Sequence, residues 1–469
     1  VAGPHRLRPG GRHLRRNFFH GNGFSIKNWN STCPLFAYTS ADGVVEDLTI
    51  DASCTLTANY AGNSQYYGAF VGYHRGLLTN CHVNANLVAS GNWGAAEPHI
   101  GALAGRVVVG KIENCTVNGD VTFDNTLVTS GEKSYFGGAV GRVSNADGEL
   151  KGISVKGNVS LSSGSTYSSS NANDAFVKYG GIVGQLAGTC TDCHLTEATK
   201  KFFYGNFVYG SGDPVENHYR TQQVGGIVGE IAEGGAVSNC NNYAAVTFNQ
   251  YNGEVNGASG DVSRYLYAGG IAGQIYGDLS YCTMYGSLEN RSSCLQQYIG
   301  GVVGNVQATA TISNCANEGA NIAAGTSGLG YYQARNNNIG GVIGVVVYQA
   351  SNLFEISNCE NTENGDILVT GKGNNMYIGG IAGYNYNCAH TNIVNRGDVT
   401  INAEFTGLLY VAGCLASPGL NDTDAKHHFT AENVTNYAPI SINGHGATIY
   451  LGGVLGRASQ GTLTNICNY

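Results

Sequence analysis

The chain has few charges, few prolines and no long apolar run. Only 12% of its 469 residues are charged and seven are prolines, which argues against charge-rich disorder. No apolar run reaches the roughly eighteen residues that a membrane-spanning helix needs, and the longest candidate lies near Ile339–Val347. Neither a helical period of apolar residues nor a signal peptide is visible. We therefore expect a strand-rich segment that does not insert into a membrane.

Catalytic and metal-binding motifs are also missing. The sequence has no Ser/His/Asp arrangement, no HExxH and no phosphate-cradling glycine loop. Its densest polar cluster, two Asp and two His within 422–428, is more typical of a solvated loop. Cys190 and Cys193 have the spacing of a metal or redox pair, but no second pair accompanies them. We predict no catalytic residue, no metal site and no cofactor.

Glycine is abundant instead, with 70 residues, and much of it recurs in one pattern. A Gly-Gly-aliphatic-x-Gly run, or a close variant, appears eleven times at a spacing of roughly 31 to 45 residues, which is typical of solenoids and propellers. The runs start at Gly68, Gly101, Gly137, Gly180, Gly225, Gly269, Gly300, Gly340, Gly379, Ala412 and Gly452. Two adjacent aliphatics cannot both face one core in a regular strand. Either the run turns a corner with positive-φ glycine, or one aliphatic packs under an outer loop.

A second signature, Asn-Cys, follows each glycine run. The Cys position exchanges only with aliphatic residues, which indicates a buried apolar site of free thiols. It is occupied by Cys81, Cys115, Ile153, Cys193, Cys240, Cys282, Cys315, Cys359, Ile393, Val434 and Ile466. The preceding Asn predicts left-handed backbone and a ladder of stacked amides. Two residues after the Cys position, Val or Leu in early repeats gives way to Asn in later ones, which predicts a core column that becomes a second Asn ladder or a turn.

Three short strand-like segments per repeat, separated by polar-Gly turns, predict one coil of a parallel β-helix per repeat. We expect an all-β, single-stranded parallel β-helix of about 11 to 12 coils, right-handed by the usual crossover rule. Residues 1–33 form an atypical N-terminal segment and a first coil, and residues 34–469 form the repeat array. The last repeat ends before its closing strand, so we expect the array to be truncated at the C-terminus.

Two segments carry a resemblance to a known family. Tyr298-Ile-Gly-Gly-Val-Val-Gly304 with Ile312-Ser-Asn-Cys315, and Tyr377-Ile-Gly-Gly-Ile-Ala-Gly383, are similar to the GLUG-type repeats of bacterial cell-surface proteins. Such repeats occur as arrays in large exported proteins of gut bacteria and beside some immunoglobulin-cleaving peptidases. The resemblance covers roughly residues 34–469. It implies a surface-exposed, adhesin-like β-solenoid from a gut anaerobe.

Charge gives little indication of a nucleic-acid partner. The net charge is −8, and five arginines fall within residues 1–16, which differ in composition from the rest. A basic arm can bind nucleic acid, but a tail is the simpler interpretation, and we expect no nucleic-acid binding. Arg396-Gly397-Asp398 spells an integrin-binding motif, yet Asn364-Gly365-Asp366 occupies the same repeat position as an ordinary turn.

Tyrosines provide the candidate ligand-binding residues. One set stands two residues before the glycine runs and should stack into a column up one face, where aromatic faces could bind sugar rings; alternatively, these rings only cover the adjacent glycines. A second set lies in insertions of variable length, which should emerge from one corner of the solenoid. The candidates are Tyr204, Tyr209, Tyr219, Tyr251, Tyr265, Tyr298, Tyr331, Tyr332 and Tyr377.

These features favour a non-enzymatic, extracellular or cell-surface β-solenoid that presents loops to a host or microbial glycan or to a surface protein. The alternative is a polysaccharide lyase or glycoside hydrolase of β-helix fold, which would need charged residues gathered in one groove. We expect a monomer or a part of a longer chain.

Overall fold

The computed structural model describes residues 13–14, 17–59, 66–92, 97–127, 133–163, 175–196, 220–248, 264–290, 296–307, 310–319, 322–325, 334–347, 354–386, 388–419, 429–444, 448–459 and 461–469. These residues contain no α-helix, and every strand pairing among them is parallel. Consequently, no helix in this part of the chain has the length and apolarity required to span a membrane. The chain is an all-β parallel β-helix, as predicted.

Each coil adds one row of strands to each of three faces. Face 1 contains the strands that follow the glycine runs, and it is a single sheet of twelve strands. They are His13–Leu14, Phe36–Thr39, Val71–His74, Ala104–Val107, Val140–Val143, Val183–Leu186, Val228–Ile231, Ala272–Ile275, Val303–Val306, Ile343–Val346, Ala382–Asn385 and Leu415–Pro418. An isolated bridge between Leu415 and Leu455 continues the row. Twelve strands in this face agree with the predicted number of coils.

Face 2 contains the Asn-Cys segments and is a sheet of 22 short strands. Most coils contribute two strands, separated by a left-handed residue and the residue at the Cys position. The strands are Asn17–His20, Ser25–Ile26, Gly43–Glu46, Thr49–Ile50, Leu77–Thr79, His82–Val83, Gly110–Glu113, Thr116–Val117, Gly148–Lys151, Ser154–Val155, Thr189–Thr191, His194–Leu195, Ala236–Ser238, Asn241–Asn242, Asp278–Ser280, Thr283–Met284, Thr311–Ser313, Ala316–Asn317, Phe354–Asn361, Cys388–Asn395, Phe429–Asn436 and Gly461–Asn468.

Face 3 contains the strand that closes one coil and the tyrosine-bearing strand that begins the next. A five-stranded sheet holds the early closing strands Asn30–Ser31, Thr55–Asn59, Leu87–Asn92, Val121–Leu127 and Val159–Ser163. A sixteen-stranded sheet holds Tyr66–Tyr67, His99–Gly101, Lys133–Gly137, Ala175–Gly180, Arg220–Gly225, Val246–Phe248, Arg264–Gly269, Leu288–Asn290, Gln296–Gly300, Ile322–Gly325, Ala334–Gly340, Ile367–Gly379, Val399–Phe405, Leu408–Ala412, Ile440–Ile442 and Thr448–Gly452.

The N-terminal segment joins the same sheets as the repeats. Asn17–His20 pairs with Gly43–Glu46, and Asn30–Ser31 pairs with the start of Thr55–Asn59. Residues 13–31 therefore form a first coil stacked on the array. The arginines at 6, 8, 12, 15 and 16 lie outside the described residues.

One residue of each coil bends face 2 through the left-handed region. The eight Asn residues of the Asn-Cys signature all have φ between 49° and 58°: Asn80, Asn114, Asn239, Asn314, Asn358, Asn392, Asn433 and Asn465. Asp47, Asp192, Gly152 and Tyr281 take the same role in other coils. Asn tolerates this conformation because its short side chain can hydrogen-bond locally. The amides also stack: Asn392 Nδ2 donates to Asn358 Oδ1 over 2.9 Å, which confirms the predicted ladder.

The residues after this bend form the core. All seven cysteines of the predicted column are at most 1% exposed, and every cysteine that the structure describes is a free thiol. The next inward column changes from Val83, Val117 and Val155 to buried Asn residues. Asn317, Asn361, Asn395 and Asn436 form a chain of amide hydrogen bonds of 2.8 Å, so the second ladder is real and lies inside the core.

The glycine runs turn the corner between faces 3 and 1. Ile227 and Val228 can both be fully buried because Ile227 lies in the bend at Gly226-Ile227, before the strand that begins at Val228. None of the described glycines in these runs has positive φ, so the expected conformational reason is wrong. A Cβ on Gly226 would instead overlap the carbonyl oxygen of Gly270 in the next coil. The runs need glycine for space.

The insertions interrupt face 3 rather than a corner. Ile367–Gly379 is one uninterrupted strand; its first half pairs with Ile322–Gly325 and its second half with Ala334–Gly340. The segment between those two strands is therefore inserted in the middle of a row. This differs from the predicted corner, because the closing strand and the tyrosine strand turn out to be two parts of one face.

Candidate functional site

The predicted column of tyrosines exists and is continuous through the described coils. Strand register aligns one outward position of face 3 from the first tyrosine strand to the last. We call this set the tyrosine column: Tyr66, His99, Tyr135, Lys178, Gln223, Tyr267, Tyr298, Asn338, Tyr377, Tyr410 and Tyr450.

A second column on face 1 lies against it. This facing column consists of the residues that directly follow the last position of a run, which is glycine except for Ala416: Tyr73, Arg106, Arg142, Gln185, Glu230, Gln274, Asn305, Val345, Tyr384 and Ser417. The two columns touch at several levels: Arg106 donates to the Tyr66 hydroxyl over 3.2 Å, and the rings of Tyr377 and Tyr384 meet edge to face at 4.7 Å.

The glycine that ends most of the runs brings these columns together. A Cβ on Gly229 would lie 2.5 Å from the backbone nitrogen of Tyr179, and a Cβ on Gly105 would lie 2.5 Å from that of Tyr67. Without a side chain at this position, the face 1 strand lies directly against the backbone of a face 3 strand. The polar side chain that follows is then held against the tyrosine column.

Most rings of the tyrosine column stack on one another. Tyr267 and Tyr298 are parallel within 6° at 5.3 Å, and Tyr377 and Tyr410 are parallel within 6° at 5.0 Å. A sugar ring needs a free aromatic face, and in-register stacking covers those faces. Sugar binding to the column stays a prediction, and stacked pairs such as these offer it little free ring surface.

The stack is interrupted in one coil at Asn338 and in two successive coils at Lys178 and Gln223, between Tyr135 and Tyr267. A cavity of about 480 Å³ opens there, which is within the size range of small-molecule sites. Because Tyr298 covers one face of Tyr267, the other face of Tyr267 is directed towards the coil of Gln223. We call this cavity the central pocket. Its lining includes Lys178, Gln185, Gln223, Glu230, Tyr267 and Gln274.

Polar side chains in the central pocket form hydrogen bonds and an ion pair between the two columns. Lys178 Nζ lies 2.6 Å from Glu230 Oε2, and Gln185 Nε2 donates to Glu230 Oε1 over 2.6 Å. Gln223 Nε2 donates to Gln274 Oε1. The side-chain oxygens of Gln185 and Gln223 accept no hydrogen bond in the described structure, although these residues are only 7% and 2% exposed. Buried acceptors without donors carry a free-energy cost that a ligand hydroxyl could remove.

The charges of the central pocket balance. Lys133 and Lys178 face Glu230 and Glu233, two positive side chains against two negative ones. Burial lowers the pKa of Lys178, while the carboxylate of Glu230 acts in the opposite direction. A pocket without net charge favours a neutral ligand over an acidic one.

The N-terminal part of the two columns has a different character. Burial, reinforced by Arg142 and Arg106, lowers the pKa of His99 to about 2, so its imidazole is neutral at physiological pH. His99 stacks on Tyr135 at 4.5 Å, and the guanidinium of Arg142 lies 4.5 Å from the centre of the same ring. Tyr135 is thus packed against both His99 and Arg142, which supports a structural role there.

The structure brings together three of the nine predicted ligand-binding tyrosines. Tyr298 and Tyr377 belong to the tyrosine column and Tyr265 lies two residues before Tyr267, and all three are half-buried. The other six fall in insertions outside the described residues: Tyr204, Tyr209, Tyr219, Tyr251, Tyr331 and Tyr332. The hypothesis that insertions carry the ligand site stays a prediction.

Sequence reasoning missed the facing column. Gln185, Glu230 and Gln274 each stand between a glycine and a buried aliphatic residue. A polar residue in such surroundings was the available signal, but its importance depends on the contact between faces 1 and 3.

The Arg-Gly-Asp motif has a structural role in the described coils. Arg396 Nε donates to Glu360 over 2.8 Å, and its guanidinium lies 4.3 Å from the centre of the Tyr437 ring. Gly397 has no room for a Cβ beside Gly365 of the preceding coil. Arg396-Gly397-Asp398 is thus a stacked turn. The polar cluster at 422–428 lies outside the described residues.

The family model of the GLUG motif matches residues 97–122 and 296–323. Both segments contain a tyrosine-column position, a glycine run and the Asn-Cys signature. The chain therefore carries GLUG repeats, and they form coils of a parallel β-solenoid. No curated protein and no solved structure matches the chain significantly. The gut-bacterial origin stays a prediction.

Proposed function

We propose that this protein is an extracellular or cell-surface β-solenoid that binds neutral glycans in the central pocket without cleaving them. The observation that carries the proposal is the interruption of the tyrosine stack. At that level one aromatic face, two buried amide oxygens without donors and a balanced set of charges line the same cavity.

The chemistry of the pocket fits a sugar ring. The apolar face of a sugar can pack on the part of the Tyr267 ring that lines the cavity, while its hydroxyls donate to Gln185 and Gln223. Lys178 and Glu230 hold each other in place and offer further polar atoms at the pocket wall. An acidic sugar would add an uncompensated charge to this neutral site, so hexose-type neutral glycans are the expected ligands.

Binding is tested first on an array of neutral and acidic glycans and then by calorimetry with the best ligand. Tyr267→Ala and Gln223→Leu should each weaken binding at least about tenfold, roughly 1.4 kcal/mol. Tyr410→Ala is the matched control, since Tyr410 is a buried ring of the same column outside the pocket, and its affinity should stay unchanged. Loss of binding in a Tyr204/Tyr209/Tyr219 triple alanine variant, with Tyr267→Ala unaffected, would refute the pocket and favour the insertions.

A second candidate function is polysaccharide cleavage. Four charged side chains converge on the central pocket, and burial lowers the pKa of Lys178 towards that of a usable base. Against this, the Glu230 carboxylate already contacts Lys178 and Gln185. Incubation with neutral and uronate-containing polysaccharides separates the two functions: new reducing ends or unsaturated products from the natural protein, absent with Lys178→Met, would establish an enzyme.

A further inference from the structure

Three thiols lie close together in the core of the same two coils. Cys190, Cys193 and Cys240 are fully buried, and their sulfur atoms all lie within 4.8 Å of one another. The sulfurs of Cys190 and Cys240 are 3.9 Å apart. Sequence spacing revealed only the first two residues, because Cys240 reaches the cluster through the stacking of the next coil.

The cluster is more than the ordinary cysteine column. Cys193 and Cys240 occupy successive positions of that column, whose members exchange with Ile and Val. Cys190 lies in a neighbouring column on face 2, in register with Leu150 and Val237. Among the described coils, Cys190 is the one cysteine at this position. An aliphatic residue fills the same space in adjacent coils, so packing alone does not require a third thiol here.

The geometry suits a soft cation with three sulfur ligands. For a metal–sulfur distance of about 2.3 Å, trigonal coordination places the sulfurs roughly 4 Å apart, close to the separation of Cys190 and Cys240. Thiolates select soft ions such as Cu(I), whereas structural Zn²⁺ sites use four ligands. The backbone N–H of Cys193 also donates to Cys240 Sγ at 3.4 Å, which stabilises negative charge on that sulfur.

We propose that Cys190, Cys193 and Cys240 bind one Cu(I) ion, which ties together the two coils that carry the central pocket. Metal–sulfur bonds replace the thiol protons, which are released to solvent. Because the three thiols are fully buried, the ion enters before these coils stack. This proposal does not depend on glycan binding.

The test uses the full chain with Cys33, Cys294 and Cys467 replaced by serine, so that copper bound to these three thiols does not contribute. The protein is refolded under reducing, oxygen-free conditions with Cu(I) and a competing chelator. Elemental analysis should find one copper ion per chain, and X-ray absorption should find three sulfur ligands. Copper should also raise the melting temperature.

Cys190→Val should fold, since Val237 occupies the same position in the next coil. Without the third thiol, this variant should bind no copper. Cys315→Val, in the same cysteine column but outside the cluster, should keep one ion. The proposal is overturned if refolded protein holds no stoichiometric copper, if Cys190→Val retains it, or if Zn²⁺ is bound in preference with four sulfurs. A Cys190–Cys240 disulfide in the isolated protein, seen as a loss of two hydrogens, would also overturn it.

Discussion

Each coil places one residue of face 2 in the left-handed region, and side chains differ in how well they tolerate it. Asn is suited to the position and joins the exposed amide ladder. Tyr281 adopts φ 53° at this position, is 62% exposed, and stands between the coils of Asn239 and Asn314. A bulky side chain gains no local hydrogen bond in this conformation, so Tyr281 is a weak point of an otherwise uniform row.

Tyr281→Asn should raise the free energy of unfolding by about 1 kcal/mol, because Asn relieves the left-handed strain and can join the neighbouring amides. Urea denaturation followed by circular dichroism measures the change. Tyr281→Val should lower stability instead, since a β-branched residue tolerates positive φ least. Equal stability of the two variants would contradict this account.

For single residues, the sequence predicted those features that depend only on the properties of the residue type. The left-handed Asn residues and the buried cysteines follow from their own conformational and apolar properties. The reason for the glycines did not follow, because the atom that excludes a Cβ at Gly226 belongs to Gly270, one full coil away in sequence.

A single strand of face 2 can contribute residues to two amide ladders, one exposed to solvent and one buried in the core. In Phe354–Asn361, Asn358 is exposed and bonds to Asn392, whereas Asn361 is fully buried between Asn317 and Asn395. The exposed amides can exchange their partners for water. The buried amides cannot, so their hydrogen bonds should contribute more to stability.

Asn361→Leu should lower the free energy of unfolding by about 2 to 4 kcal/mol, because the Asn317 donor and the Asn395 acceptor both lose their buried partner. Asn358→Gly is the matched control: it keeps the left-handed conformation, removes only an exposed bond and should cost less than about 1 kcal/mol. Chemical denaturation of both variants measures the difference, and similar losses would disprove the distinction.

At the element scale the second Asn column was visible in the sequence, as was the tyrosine column. Their contacts were not. Whether tyrosine faces are free depends on the exact stacking of neighbouring coils, and the facing column becomes part of a site only because Gly229 and its equivalents allow face 1 to approach face 3.

Across the whole molecule, coils differ mainly in the length of the segment inserted between the two parts of face 3. Ile367–Gly379 crosses the face without interruption, and its register relates Val369 to Phe248 through Ala324 and Asn290. By the same register, Asn375 corresponds to Tyr265 through Asn336 and Gln296. Five residues, 370–374, therefore connect the two register points that residues 249–264 connect in the other coil, a difference of eleven residues.

Replacing residues 249–263 by Thr-Gly-Lys-Gly, the sequence at 370–373, should preserve the fold with a stability change within about 1 kcal/mol. Circular dichroism and thermal melting check the fold. The shortened protein should also keep glycan binding if the central pocket carries it. An unfolded or aggregated product would show that the insertion is needed to close the coil.

The repeat length, the three strands and the parallel architecture were predictable because each coil repeats the same local signals. The position of the insertions was misjudged, since sequence alone does not show where one face ends and the next begins.

The mid-face position of the insertions has an evolutionary consequence. On both sides of an insertion the strands stay in register with the coils above and below, so a change in its length is not transmitted along the axis. Neighbouring coils can therefore gain or lose residues there independently. Such a lineage could diversify its exterior coil by coil while the stacked interior remained under one constant set of packing constraints.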